Sequence, residues 1–277
     1  MMENKRDWLS VTNSTFLGFV WLLFAGMITM PLEKAVPPFG YLFRFLTYMI
    51  LTFWGVRSLA KGNGLTLQEC RVTKIRLHPL GLFFTVLFPV IMIVWKIHGE
   101  PGRFVYNEMS FETALEIVFY LMFHTGFCSG IVEEVMFRGV LTRICEDGFG
   151  KRVAWILPTF FFVLPHLRNI QSVSDFLNTC LFMTAFGIFL TALTYRTGTV
   201  WDAVFIHAFW DMFAARNHVV AVSSEVESGA FFTYVLEKPE MHPLLHMKTN
   251  EYMWLISAMF LVCTVGVILT NRVKKEQ

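Results

Sequence analysis

The apolar residues of this chain fall in blocks of about 20, the length a helix needs to cross the hydrocarbon core of a bilayer. The first block covers 11–32, the second covers 39–60 after the breaker Pro37-Pro38, and the third covers 77–97. A fourth starts near Phe111 and runs past Arg138 towards Cys145. Four more cover 152–167, 174–195, 199–214 and 251–270. In lipid every backbone polar group must be satisfied inside a helix or a closed barrel. Eight long apolar blocks therefore predict an all-α, polytopic transmembrane bundle. Composition agrees: the 277 residues are 55% hydrophobic and 16% charged, against about 25% charged in soluble domains.

The first apolar run is too long for a signal-peptide core and no A-x-A-like site follows it, so it reads as a retained span. If the N-terminus is cytoplasmic, Lys and Arg of the inward segments outnumber those of the outward ones by about two to one, which favours both termini inside. Net charge is +2 and no basic stripe is interleaved with aromatics, so nucleic acid is not an expected partner. The cysteines (Cys70, Cys128, Cys145, Cys180, Cys263) are odd in number and scattered, which implies neither a disulfide framework nor a zinc ribbon. No repeat or linker divides the chain, so 1–277 reads as one membrane domain. The loop 215–250 carries Glu225, Glu227, Glu237 and Glu240 and reads as solvated rather than as a lid.

An ionisable residue near the bilayer centre costs about 2.5–3.5 kcal/mol on insertion scales, so its default reading is functional. Three clusters stand out. In Glu133-Glu134-Val135-Met136-Phe137-Arg138, residues four apart share a helix face, so Glu134 and Arg138 can pair. Glu133 points about 100° away and is left as the carboxylate free to take a proton, which suits a general base. The second cluster is Phe162-Val163-Leu164-Pro165-His166, and the third is His207-Ala208-Phe209-Trp210-Asp211, whose His and Asp again lie four apart. At 1.5 Å per residue, Glu133, His166 and His207 lie roughly 15–21 Å from the cytoplasmic ends of their spans, a similar depth. Inward-facing packing would gather them in one pocket, since the alternative leaves charge in lipid. Other polar residues rank lower. His124 precedes Glu133 on the same span with no evident partner and reads as packing. Arg44 can snorkel from the outer end of the second span. Gly126 and Gly130 have the spacing of a helix-packing motif.

Together the clusters resemble the three motifs of the CPBP family, the CAAX-processing and bacteriocin-processing group that includes the type II CAAX prenyl endopeptidases. The matching runs are EExxxR at Glu133–Arg138, FxxxH at Phe162–His166 and HxxxN/D at His207–Asp211, with Gly139 after the first and Arg196-Thr197-Gly198-Thr199-Val200-Trp201 before the third. The family domain would cover about 110–215, as a catalytic core of spans 4–7, with 1–100 and 251–277 supplying additional spans. The resemblance implies a glutamic-type intramembrane endopeptidase acting on a membrane-associated, C-terminally tagged or lipidated protein or peptide. It implies that Glu133 activates water with His166, that His207 and Asp211 stabilise the oxyanion, and that Glu134 and Arg138 support the site, with no cofactor. Many relatives carry Asn where this chain has Asp211. An ionised Asp cannot donate to an oxyanion, so Asp211 is expected to orient and charge His207, which then donates alone. Other readings stay open on sequence alone. Glu133, His166, His207 and Asp211 are also a possible zinc ligand set, since His and carboxylates with an open position suit catalytic zinc. A membrane scaffold or immunity protein could use the same bundle without chemistry. A transporter is disfavoured by the lack of repeated halves.

Overall fold

The computed structural model describes residues 8–34, 39–98, 101–214, 218–237 and 249–273. Eight helical segments account for most of them: α1 (Trp8–Thr29), α2 (Gly40–Gly62), α3 (Pro79–Ile97), α4 (Phe111–Phe149), α5 (Lys151–Val163), α6 (Val173–Thr197), α7 (Trp201–Phe209) and α8 (Thr249–Val273). They fall where the apolar blocks do. Five of them, α1, α3, α4, α6 and α8, are long and apolar enough to cross a membrane. The other three depart for identifiable reasons. Helix α2 carries Arg44, Arg57 and Lys61. Helix α5 ends at Val163 and continues as a 3₁₀ turn over Leu164–Asn169, because Pro165 has no N–H for an α-helical bond. Helix α7 continues as a π turn over Trp210–Ala214. Two further π turns, Tyr120–Gly126 and Val135–Leu141, interrupt α4.

The outward faces of α1, α2, α3 and α8 expose Phe16, Leu17, Ile50, Trp54, Val86 and Val262, the surface a bilayer would solvate. Lipid tails are as apolar as these side chains, so the helices are held by packing rather than by water exclusion. Helix α6 is the most deeply buried of the five long spans. Its Phe182, Phe186 and Phe189 join Phe88, Trp210 and Phe260 in one aromatic cluster. Buried hydroxyls are satisfied locally: Thr15, Thr85, Thr191, Thr194 and Thr264 each donate to the carbonyl four residues earlier.

Two close approaches place the site. Gly130 of α4 lies against α7, where an added Cβ would come 2.8 Å from the carbonyl oxygen of Val204 and 3.1 Å from the nitrogen of Ala208. This is the contact that the Gly126/Gly130 spacing anticipates. Gly187 of α6 leaves room for the Arg138 guanidinium, with Nη2 2.9 Å from where a Cβ would stand. Gly198 ends α6 in the left-handed region at φ 74° and returns its N–H to the Thr194 carbonyl. Such a cap suits glycine, and it turns the chain directly into α7.

No strand is anticipated by the apolar blocks, yet three form a small sheet in the order β1-β3-β2: β1 (Gly102–Tyr106), β2 (Val220–Ser223) and β3 (Phe232–Leu236). β1 pairs antiparallel with β3, Gly102 opposite Leu236, and β2 pairs parallel with it. Buried Asn107 locks the sheet, its amide donating to the carbonyls of Glu227 and Ala230 and to Thr233 Oγ1. The described part of 215–250, residues 218–237, is thus folded against 102–107 rather than simply solvated. Glu240 and the breaker Pro37-Pro38 lie outside the described residues.

Candidate functional site

The three motifs converge. Glu133, His166, His207 and Asp211 line one cavity of about 430 Å³, together with Ser129 and Arg168. Phe162, Phe182, Phe186 and Trp210 supply its apolar walls. Each polar group owes its place to a local feature. Glu133 and Glu134 end an α-helical stretch of α4, and Arg138 follows on the π turn. His166 sits on the 3₁₀ turn started by Pro165. His207 is on α7 and Asp211 on its π continuation.

Glu134 is fully buried and organises the centre. Its Oε1 accepts from Arg138 Nη1 at 2.9 Å and from His207 Nδ1 at 2.8 Å. The expected Glu134–Arg138 pair is present, and Arg138 also lies over the Phe162 ring, 4.1 Å from its centroid. With Nδ1–H donated to a carboxylate, His207 has Nε2 left for chemistry. Asp211 Oδ2 stands 3.7 Å from that Nε2, an ion-pair distance rather than a hydrogen bond. The sequence suggests Asp211 as the group that orients His207. In the structure the hydrogen bond that fixes the ring comes from Glu134, a partner 73 residues away. Phe162 and Phe186 pack edge-on against the imidazole and hold its plane.

His166 donates Nδ1–H to the Phe162 carbonyl at 2.9 Å, leaving Nε2 as its unengaged nitrogen. Glu133 differs from its neighbour. Its Oε2 is buried with no hydrogen-bond partner among the described residues. A buried carboxylate oxygen without a partner is costly and calls for an explanation. Proton transfer at that oxygen supplies one, since general bases need an accessible lone pair. Glu134 Oε2 and Arg138 Nη2 are likewise without partners. Both imidazoles keep one nitrogen and Glu133 keeps one oxygen, so the cavity holds an acceptor, a positioned imidazole and a charge-supported imidazole within one apolar enclosure. Among the described residues, no three His, Cys, Asp or Glu side chains are grouped so as to hold one metal ion.

Sequence reading missed two features. Arg168 lines the cavity two residues beyond His166, and its only signal was a basic residue close behind the FxxxH run. His124, read as packing, contacts both Glu33 and Arg44: its Nδ1 is 2.8 Å from Arg44 Nη1, and Glu33 bonds to both. Tyr120 stacks on its ring and Tyr41 meets it edge-on. Arg44 therefore pairs within the bundle instead of snorkelling away from it.

A helical membrane bundle that gathers carboxylates and imidazoles in one partly apolar cavity has the groups that hydrolysis within a membrane needs. Comparison with known proteins points the same way. Residues 115–213 match the family model described as type II CAAX prenyl endopeptidase Rce1-like. This stretch, about a third of the chain, carries all three motifs and is similar to that family of CAAX-type intramembrane proteases. No curated protein matches the chain.

Proposed function

We propose that the protein is an intramembrane endopeptidase that hydrolyses a peptide bond with water activated by Glu133. The substrate is a membrane-associated protein or peptide, C-terminally tagged or lipidated. The observation that carries this reading is the contrast between the two adjacent carboxylates. Glu134 gives one oxygen to both Arg138 and His207 and does not line the cavity, whereas Glu133 lines it and no side chain is shown bonded to its carboxylate among the described residues. In the proposed reaction Glu133 takes a proton from water while the oxygen attacks the scissile carbonyl carbon. His166 positions that water through Nε2. The oxyanion of the tetrahedral intermediate is met by His207 Nε2–H, with the ring held by Glu134 and its charge supported by Asp211. Donors aimed at developing charge inside an apolar site are worth far more than in water. Collapse of the intermediate breaks the C–N bond, and the proton held by Glu133 passes to the leaving amine.

Glu133→Gln tests the proposal. In proteoliposomes containing a quenched peptide with a farnesylated cysteine, cleavage is expected to fall about 10²–10⁴-fold, the usual contribution of a general base. The variant should elute and resist heat as the parent does, because an amide replaces a carboxylate whose Oε2 has no hydrogen-bond partner among the described residues. Wild-type cleavage by this variant would refute the assignment. Metal analysis of the purified protein, with activity measured in chelator, separates this mechanism from a zinc-dependent one.

A further inference from the structure

A second cavity, of about 720 Å³, lies outside the catalytic one, between the segment leading into α3 and the turn joining α6 to α7. Its ionisable lining is Lys74, Arg76 and His78, with the amide of Gln68 and the hydroxyls of Thr73 and Thr199 beside them. Among the described residues, no Asp or Glu lines it. Lys74, Arg76 and His78 line the cavity, whereas Ile75 and Leu77 between them do not. Leu77 packs on the core. Ile75 is 68% exposed.

His78 is compensated: its Nδ1 and backbone N–H both contact buried Asp202, at 2.7 and 2.8 Å. Neighbouring Arg71 is spent on Glu146 and the Tyr195 ring. Lys74 and Arg76 make no ion pair among the described residues. Lys74 and Arg76 are exposed cations on the lining of one cavity, and an anion placed there would be attracted by both. The ends of α3, α6 and α7 all meet here, so the cavity sits where spans emerge from the apolar layer, the level at which headgroups lie.

We propose that this cavity binds a phosphate group, supplied by the headgroup of an anionic phospholipid. The site bears on the catalytic core through α7. Trp201 Nε1 donates to the Thr73 carbonyl at 2.8 Å, Val200 N–H to the Arg71 carbonyl at 3.1 Å, and Asp202 holds His78. A bound lipid therefore fixes the segment that braces the start of the helix carrying His207.

Lipid binding is the readout, so the test does not depend on cleavage. The delipidated full chain is titrated with phosphatidylglycerol or phosphatidylcholine and its bound lipids are counted by native mass spectrometry. Near a membrane surface each basic residue strengthens anionic-lipid binding several-fold, so Lys74→Gln with Arg76→Gln should weaken retention of phosphatidylglycerol by about 30-fold. Lys151→Gln with Arg152→Gln removes the same charge elsewhere on the chain and should retain the lipid. Inorganic phosphate is offered in a parallel titration in phosphatidylcholine nanodiscs. The proposal stands if only the first pair loses the lipid and phosphate alone does not fill the site. It is overturned if the two double variants bind alike, if phosphatidylcholine is retained as well as phosphatidylglycerol, or if free phosphate alone fills the site.

Discussion

Glu134 joins two jobs that a pair of substitutions can separate. Its Oε1 neutralises Arg138, which is 1% exposed, and also anchors His207. Glu134→Leu alone leaves the guanidinium buried without its counter-charge, and breaking a buried pair in this way costs about 3–5 kcal/mol. Adding Arg138→Met removes the orphaned cation while keeping an apolar chain against Phe162. Replacing both members of a buried pair by apolar groups is often neutral or stabilising by about 1–4 kcal/mol. Against that stands the unpaired His207 Nδ1–H, which costs about 1–3 kcal/mol. The double variant should therefore return to within about 2 kcal/mol of the parent. Activity should not return. With its anchor gone, His207 no longer presents Nε2 in a fixed direction, and losing one oxyanion donor lowers kcat by about 10²–10³-fold. Unfolding in mixed micelles gives the first quantity, and peptide cleavage in proteoliposomes gives the second. A double variant that regains both stability and near-parental cleavage would show that the His207–Glu134 bond has no part in catalysis.

Two further outcomes follow from the same geometry. Asp211→Asn should keep substantial activity, because its carboxylate lies beyond hydrogen-bond range of His207 and an amide can donate to the oxyanion directly; Asp211→Ala should lose most of it, and abolished cleavage by a folded Asn variant would sink this account of Asp211. Gly130→Ala forces a methyl against the backbone of α7 and should destabilise by about 1–3 kcal/mol, as overpacking does, with a parallel fall in cleavage as His207 moves off Glu134; unchanged thermal stability would count against that contact.

The helices and the three clusters were legible because each is a local pattern. Apolar length marks the spans. A charge inside such a block stands out against it, and i,i+4 spacing correctly paired Glu134 with Arg138. What sequence could not reach was any bond between clusters. The His207–Glu134 link crosses two helices, and local spacing pointed instead to Asp211 four residues on. The Glu33–Arg44–His124 group was out of reach for the same reason: its members lie on the 3₁₀ turn after α1, on α2 and on α4, and nothing within one block points to the others. The sheet was hidden because β1 is five residues long and its partners come more than 110 residues later. Apolar-block reading has no means of joining such pieces.

The π turns bear on how much change in length the membrane core can absorb. Each holds one more residue per turn than its flanks need, at 120–126, 135–141 and 210–214. One residue can therefore be lost there with the helix closing into ordinary α geometry, so the fold would survive. The helix beyond the turn would keep its register, and the residues inside the turn would each shift by one place. At 135–141 that shift would move Arg138 relative to Glu134, and at 210–214 it would move Asp211 relative to His207. The spans are thus most tolerant of shortening at the places where shortening would dismantle the site, and a homologue lacking a single residue in either turn would keep the bundle without this constellation.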